Sequence, residues 1–370
     1  MIKKKPIKTS KDRLSSAIPL LSTLSIAGTT FVDNYTFSCG KTVPIYDVST
    51  VHALNQLIGH AKFRNQEFGN VYYRGECKLH PTLKPSLFRK CRNAETPSAR
   101  LMALINKVIS DEPLAHELKL DSYDNRTKQH IIEGMLQHYG ISTRYIDVVD
   151  NHWIALWMGL NQFQKIKQVN TYAHYTERII PMVEVINTLK QKPDFSALRE
   201  IASSLDNSNE VSFTSFTDTL CKTILNKGET TSSAKDLDQS LYQYMLLIAI
   251  PYSSRRNLTG IEESEHYIQI DLRQALPSTF LRPHAQHGLV VRKKVHPPEN
   301  QNGTDAYDLA QSIIGIIRLR IDRVKDWIGT GDLLTQTNLF PPPAFDNGYD
   351  LLLSRSDIFE NTTFSVTKYI

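Results

Sequence analysis

The chain has 370 residues, of which 41% are hydrophobic and 22% are charged, with a formal net charge of +5. This composition excludes a fibrous or wholly disordered protein and suffices for one large domain or two moderate ones. No run approaches the roughly 18 apolar residues that a membrane-spanning helix needs, so we expect a soluble protein without a membrane partner. The basicity permits contact with phosphate or nucleic acid, but the only dense basic cluster, at 1–13, is typical of a solvated tail.

The first half of the chain is predicted to be rich in helices. Segments with apolar residues at helical spacing are 47–66, 98–110, 127–139 and 151–163. Ser49 or Thr50 is expected to cap the first helix, Gly140 to end the third in a left-handed conformation, and Asp150 or Asn151 to cap the fourth. A short apolar run at 70–75 is typical of a strand that ends in a turn, and 141–150 is predicted to be a loop.

The second half is predicted to consist mainly of strands. The apolar or alternating runs are 244–251, 267–272, 288–295 and 313–321, and a short helix is expected at 322–334. Ile and Leu alternate with Arg318 and Arg320 in the last strand, which predicts a half-exposed strand. Ser, Thr and Asn accumulate in 203–236, which indicates a variable insertion at about 165–240.

The predicted fold class is therefore α+β, with a helix-rich N-terminal half packed on a mostly antiparallel sheet from the C-terminal half. We expect a basic flexible tail and lead-in at 1–45, one domain with its insertion at 46–350, and a C-terminal extension at 351–370. The oligomeric state is left open.

The cysteines give no indication of a metal site or a disulfide framework. They are far apart in the sequence, without a Cys-x-x-Cys pair: Cys39, Cys77, Cys91 and Cys221. Reduced thiols in a cytoplasm fit this pattern best, so we predict a cytoplasmic protein without a metal. An apolar stretch follows the basic tail, but Pro19 and several hydroxyl residues interrupt it, which argues against a signal peptide.

Three polar segments with turn-forming glycines are candidates for chemistry, and the first is 72–76. Arg74 at a strand end can bind a phosphate or carboxylate through two parallel hydrogen bonds, and Gly75 lets a ligand approach the backbone. The alternative is that Arg74 forms a structural ion pair and Gly75 only makes the turn.

The second segment, 137–147, gathers an imidazole, a hydroxyl, a guanidinium and a carboxylate at a helix end and its loop. These groups belong to His138, Thr143, Arg144 and Asp147. A histidine near a helix C-terminus also has a structural explanation, because its cation interacts favourably with the unpaired carbonyl groups there. An Arg–Asp pair can likewise stabilise a loop. Functional and structural roles both remain open.

The third segment, 282–288, places Arg282, Gln286 and two histidines immediately before a predicted strand. No acidic or cysteine ligand lies close in sequence, so a metal is not expected there. An edge loop without function is the alternative.

These segments resemble the FRG domain family, named for a (Phe/Tyr)-Arg-Gly motif and associated with bacteria and phages. The family's Tyr-Arg-Gly turn corresponds to 73–75, and its Leu-x-Pro-Ser-Leu-Phe-Arg stretch to 83–89. Its Gln-His-Tyr-Gly stretch, which ends on aspartate, is similar to 137–147, although Ser142 replaces the usual proline. An Arg-x-x-x-Gln-x-Gly motif is matched by 282–288, and a late Leu-Phe-Pro by 339–341.

The aromatic-Arg-Gly strand end is also similar to that of arginine-type ADP-ribosyltransferases. This similarity implies that Arg74 binds an NAD phosphate and that Ser86 braces the nicotinamide side. The transferases carry a catalytic glutamate on a late loop, but here Gln286-His287-Gly288 stands in that position. Glu262, Glu263 and Glu265 are acidic candidates whose spacing does not align with that loop, and Asp147 could supply the carboxylate in a different geometry. Such an analogy of fold is not by itself evidence of activity.

Three hypotheses follow for the function. The first is an enzyme that handles NAD or another nucleotide, an ADP-ribosyltransferase-like toxin or phage-defence effector. Its predicted catalytic residues are Asp147, His138 and Gln286, and its predicted ligand-binding residues are Arg74, Gly75, Ser86, Thr143, Arg144 and Arg282. The second is a non-catalytic module that recognises a phosphorylated or nucleic-acid ligand. The third is that the same residues only join two halves of a core.

Overall fold

A computed structural model gives the arrangement of most of the chain. It describes residues 16–91, 93–165, 172–178, 241–253, 255–256, 259–295, 299–329, 331–359 and 368–369. The predicted basic tail and most of the predicted insertion at 165–240 lie outside these residues. In the described part, no helix is both long enough and apolar enough to cross a membrane.

The main sheet runs through both halves of the chain. Its strands, in spatial order, are β1 (Thr29–Thr36), β2 (Thr42–Val48), β12 (Ile313–Arg320), β7 (Tyr242–Pro251), β3 (Gly69–Glu76), β4 (Ile146–Val149), β11 (Gly288–Lys293), β10 (Tyr267–Asp271), β9 (Ile261–Glu263) and β8 (Arg255–Arg256). Strands β2 and β12 pair in parallel, and the other neighbours are antiparallel. A smaller sheet contains β13 (Lys368–Tyr369), β6 (Tyr172–Glu177) and β5 (Asn161–Lys165).

Helices from both halves of the chain pack on the main sheet. Those of the first half are α1 (Val51–Asn65), α2 (Glu95–Ser110), α3 (Glu112–Glu117), α4 (Asn125–His138) and α5 (His152–Leu160). Those of the second half are α6 (Leu272–Ala275), α7 (Leu281–Ala285), α8 (Ile321–Ile328), α9 (Gln336–Leu339), α10 (Asn347–Ser354) and α11 (Ser356–Phe359). The α+β class and the mostly antiparallel sheet are confirmed, although β1–β4 show that the first half also contributes strands.

The predicted helix ends are confirmed at three positions. The Thr50 hydroxyl accepts a hydrogen bond from the Ala53 amide, and the Asn151 side chain accepts one from Trp153 at the start of α5. Gly140, just beyond α4, has a φ of 88°, in the left-handed region that favours glycine. The fourth helix is shorter than predicted, because α5 ends at Leu160 and Asn161 begins β5.

Strand β12 corrects the prediction of a half-exposed strand. Every residue from Ile313 to Arg320 is buried, because β12 lies inside the sheet between β2 and β7. Its two arginines are accommodated by carboxylates. Arg318 pairs with Asp47, and Arg320 pairs with Asp322. Alternation of apolar residues with charges is therefore compatible with burial when each charge has a partner.

Two apolar cores fix the ends of β3 and β4. In the first core, Leu101 and Ile105 of α2 pack with Ile131 and Met135 of α4 over β10 and β11. In the second core, which lies on the same face of the sheet, α1 and α5 cover β3, β7 and β12. The C-terminal end of α4 and the first turns of α5 consequently meet where β3 ends and β4 begins.

Candidate functional site

A cavity of about 410 Å³ lies at the adjoining ends of β3 and β4. Six of the nine predicted site residues line it, and they come from five separate stretches of the chain: Arg74, Gly75, Ser86, His138, Asp147 and Gln286. The cavity thus brings together most of the candidates from all three polar segments.

Arg74 is held in place by two partners. Its Nε donates to Glu76 Oε1 at 2.5 Å, and its Nη1 donates to the carbonyl oxygen of Asp147 at 2.7 Å. Burial alone lowers the pKa of this guanidinium, but the negative charges of Glu76 and Asp147 outweigh that effect and raise it. Arg74 therefore forms an ion pair, as the structural alternative predicted. Its Nη2 has no hydrogen-bond partner among the described residues.

The Asp147 carboxylate is the central acidic group of the cavity. Gln137 Nε2 donates to its Oδ2 at 2.5 Å, and His138 Nδ1 lies 3.7 Å from its Oδ1. Burial raises the pKa of Asp147, but the nearby His138 ring, the Gln137 amide and the Arg74 charge together lower it below its usual range. Asp147 is therefore ionised at neutral pH, which suits it to stabilise positive charge rather than to donate a proton.

Thr143 reaches the cavity only through Gln137. Its hydroxyl donates to Gln137 Oε1 at 2.7 Å and accepts a hydrogen bond from the Tyr145 amide at 3.1 Å. This arrangement orients the Gln137 amide so that its NH₂ group points to Asp147. The predicted ligand-binding role of Thr143 is therefore corrected to a positioning role in the core.

His138 is almost fully buried at the end of α4, with 4% of its side chain exposed. Its Nε2 has no hydrogen-bond partner among the described residues. The ring lies against Gly288, where an added Cβ would come within 2.6 Å of His138 Cε1. Gly288, at the start of β11, therefore provides the space that places the imidazole beside Asp147.

Gly75 lines the cavity and also lets a helix pack closely on β3. A Cβ at this position would lie 1.8 Å from the carbonyl oxygen of Ala155 in α5. The absent side chain thus lets α5 approach the end of β3, and the predicted close approach of a ligand stays a prediction.

Arg144 does not line the cavity. Its Nε donates to Glu133 Oε1 at 2.9 Å and its Nη2 donates to Glu133 Oε2 at 2.6 Å. The contact is therefore bidentate, and the carboxylate is fully buried. Such an ion pair stabilises the junction of α4 with β4. Arg144 is therefore placed outside the cavity, with its guanidinium paired to Glu133, and its predicted ligand-binding role stays a prediction that this position does not favour.

Arg282 is also placed in the core rather than in the cavity. It is fully buried, and its guanidinium carbon lies 4.4 Å from the ring centres of both Tyr139 and Tyr349. These contacts are cation–π interactions in a site without access for a phosphate. Gln286 does line the cavity, but its Nε2 donates to the Leu339 carbonyl at 2.6 Å, so this amide holds α9 in place.

Several groups that complete the cavity are not evident as site residues in the sequence. Arg89 is exposed at its edge, and its Nε donates to the Lys84 carbonyl at 3.2 Å. Although Arg89 as a whole residue is exposed, neighbouring atoms partly desolvate its guanidinium, and this desolvation and the nearby Arg74 charge lower the pKa of Arg89. The wall also contains the aromatic residues Phe163, Tyr175 and Phe340. Arg89 ends the family-like stretch 83–89 and Phe340 belongs to the late stretch 339–341, so these motifs could have identified both, whereas Phe163 and Tyr175 lie in regions without a motif.

The described residues contain no group of three or more His, Cys, Asp or Glu side chains arranged to hold a metal ion. The arrangement can instead bind an anion through guanidinium groups, stack a planar ring and present an ionised carboxylate.

The fold and the cavity define an α+β protein with an arginine- and carboxylate-lined cavity at the ends of two central strands. Residues 69–168 match the family model described as FRG domain. The match confirms the resemblance and covers Arg74, Ser86, His138 and Asp147, but it ends before Gln286. No curated protein and no solved structure matches the chain.

Proposed function

We propose that this protein is an enzyme that binds a nucleotide in the cavity and breaks the nicotinamide–ribose bond of NAD. One observation carries the proposal. Arg74, Ser86, His138 and Asp147 are distant in sequence, yet they line one cavity that combines cationic, aromatic and carboxylate groups. Sites for small ligands are typically concave and mostly apolar, with a few converging polar groups that fix the ligand's orientation.

The cationic edge suits the phosphates of the dinucleotide. The Nη2 of Arg74 and the exposed guanidinium of Arg89 would donate to the phosphate oxygens, and the Ser86 hydroxyl lies on the same wall. Phe163, Tyr175 and Phe340 offer apolar faces for the planar nicotinamide ring.

Asp147 would act on the reacting ribose. When the bond between C1′ and the nicotinamide nitrogen breaks, its electron pair leaves with nicotinamide, which becomes neutral, and the ribose becomes an oxocarbenium-like cation. The ionised Asp147 carboxylate stabilises that cation electrostatically. Water, or a nucleophile on an acceptor, then forms the new bond to C1′, and His138 accepts the released proton. An enzyme that consumes NAD in this way would act as a toxin or phage-defence effector.

The test is turnover of NAD by the purified full-length chain, followed as nicotinamide release by chromatography. We expect Asp147→Asn to reduce the rate by about 10²–10³-fold, as typically happens when an electrostatic stabiliser of a transition state is removed. Arg89→Ala should mainly raise KM, because it removes a phosphate contact.

The control is Arg100→Ala, which removes an exposed arginine of α2 that lies outside the cavity. Thermal melting of each variant verifies that it is folded. Absence of both nicotinamide release and any base-labile ADP-ribose modification of an acceptor would refute the proposal.

A second candidate is a non-catalytic module that recognises a phosphate-bearing ligand through Arg74 and Arg89. The burial of His138, whose side chain is 4% exposed, favours it, because a general base has to reach the proton that it accepts. This candidate predicts binding without turnover, with an affinity that falls as the salt concentration rises.

A further inference from the structure

A second cavity, of about 320 Å³, adjoins the first. The two cavities share the residues Glu76 and Arg89 in their walls, so they meet where the guanidinium of Arg89 is exposed. We call the cavity that contains Asp147 the inner cavity and its neighbour the outer cavity. The walls of the outer cavity come from the segment 78–84 and from Phe37 and Leu246.

The outer cavity has a basic rim and an apolar floor. Lys78, His80 and Arg89 are exposed around it, whereas Phe37 and Leu246 are buried beneath it. Lys84 also contributes to the wall, but its Nζ pairs with Asp305. A basic rim over an apolar floor suits a ligand that has both a phosphate and a planar or apolar part.

The neighbouring charges reinforce this interpretation. Burial lowers the pKa of His80, and Lys78, Arg89 and Arg74 lower it further against the opposing effect of Glu76. Arg74 also acts on Arg89 across the junction of the cavities, since it contributes to the lowered pKa of Arg89. Two guanidinium groups that repel each other gain from a shared anion, and a pyrophosphate would place one phosphate near each.

We propose that the outer cavity binds the distal nucleoside-phosphate half of a dinucleotide whose reactive half occupies the inner cavity. This inference rests on the proposed function, because it assigns the second half of the same ligand. The pyrophosphate lies between Arg74 and Arg89, the distal base rests on the floor at Phe37 and Leu246, and Lys78 and His80 face the distal phosphate and ribose.

The experiment compares two ligands by isothermal titration calorimetry. Nicotinamide mononucleotide contains only the reactive half, and NAD contains both halves. We expect the wild-type chain to bind NAD more tightly than the mononucleotide. The double variant Lys78→Ala/His80→Ala should weaken NAD binding by about tenfold or more, because it removes the charge-assisted contact of Lys78 and the hydrogen-bonding ring of His80. Its affinity for the mononucleotide should stay the same.

The matched control is Lys90→Ala, which removes an exposed lysine from the same segment but outside both cavities. It should leave both affinities unchanged. If the mononucleotide binds but NAD binds no more tightly, and the double variant changes nothing, the outer cavity is not the distal subsite and the proposed function stands.

If neither ligand binds to the wild-type chain, the proposed function fails, and this inference fails with it. A single-stranded oligonucleotide is titrated in parallel. Binding of that oligonucleotide that depends on Lys78 and His80, with NAD binding unaffected by them, would overturn the inference in favour of nucleic-acid recognition.

Discussion

At the scale of single residues, the position of His138 depends on the absence of a side chain at Gly288. A Cβ there would lie 2.6 Å from His138 Cε1, and the buried ring would have to move. We expect Gly288→Ala to displace the imidazole from Asp147 and to lower nicotinamide release by about tenfold to 10²-fold, the scale associated with a misplacement of roughly 1 Å. The displacement itself is checked by the NMR chemical shifts of the His138 ring.

Gly59→Ala is the matched control for this substitution. Gly59 lies in α1 with no atom within 4 Å of an added Cβ, so alanine should be accepted and should stabilise the helix slightly. Unchanged His138 chemical shifts in Gly288→Ala, with activity retained, would show that Gly288 does not position the ring.

The sequence identified the types of residue in the cavity better than their roles. Arg74, His138 and Asp147 line the cavity as predicted, because short motifs place polar groups at element ends. Arg144 and Arg282 were equally polar in sequence, but one pairs with Glu133 and the other lies between Tyr139 and Tyr349. These partners are brought close by the tertiary fold, and a local motif contains no information about them.

At the scale of elements, α4 contributes two buried ionisable groups to its contacts with the sheet. Glu133 pairs with Arg144, and His130 Nδ1 lies 3.0 Å from the Tyr145 hydroxyl. Burial and the nearby Arg292 charge lower the pKa of His130 to about 4. The helix is thus joined to its surroundings by polar contacts that require an ionised glutamate and a neutral histidine.

The neutral state of His130 predicts a dependence of stability on pH. The histidine of the unfolded chain has a pKa near 6.5. As the pH falls from about 6.5 towards 4, the unfolded chain therefore binds a proton at His130, whereas His130 of the folded chain stays neutral. The stability contributed by neutral His130 is complete above about pH 6.5 and is lost across that window, with a slope of up to about 1.4 kcal/mol per pH unit. His130→Gln should reduce this slope in urea unfolding experiments.

His116→Gln serves as the control, because His116 is exposed on α3 and its surroundings change little on unfolding. The two variants and the wild-type chain are compared at pH 7, 6, 5 and 4. Equal slopes for His130→Gln and the wild-type chain would contradict the assignment of a neutral His130.

The elements that the sequence predicted well are those with a strong apolar pattern. Helices α1, α2 and α4 and strands β3, β7, β10 and β11 lie within a few residues of their predicted bounds. Strands β1, β4 and β5 are among those that were missed, together with β2, β6, β8, β9 and β13. β1 is mostly polar and exposed, β4 is a short strand within a presumed loop, and β5 follows α5 without a break. Strand β4 pairs with the remote strands β3 and β11, and β1 pairs with its neighbour β2 in a polar hairpin, so local apolar pattern does not reveal either of them.

At the scale of the whole molecule, the β1–β2 hairpin extends the sheet beside β12. Strand β2 pairs in parallel with β12, and Asp47 lies opposite Arg318 in the register. Asp47 accepts hydrogen bonds from Arg318 Nε at 2.6 Å and from Nη2 at 2.8 Å, and the guanidinium carbon lies 4.3 Å from the centre of the Tyr242 ring in β7. A chain of contacts therefore links the N-terminal hairpin to the centre of the sheet.

This linkage predicts that Asp47→Asn destabilises the fold and loosens the hairpin in particular. Loss of a carboxylate opposite a buried guanidinium typically costs about 3–5 kcal/mol, but the Asp47 side chain is 32% exposed, so we expect about 1–2 kcal/mol. Urea unfolding measures the loss, and hydrogen exchange should accelerate at the amides of β2 before those of β7 and β3.

Asp33→Asn, at an exposed position in β1, is the control. Uniform acceleration across the sheet would instead show that the hairpin and the central strands open as one unit.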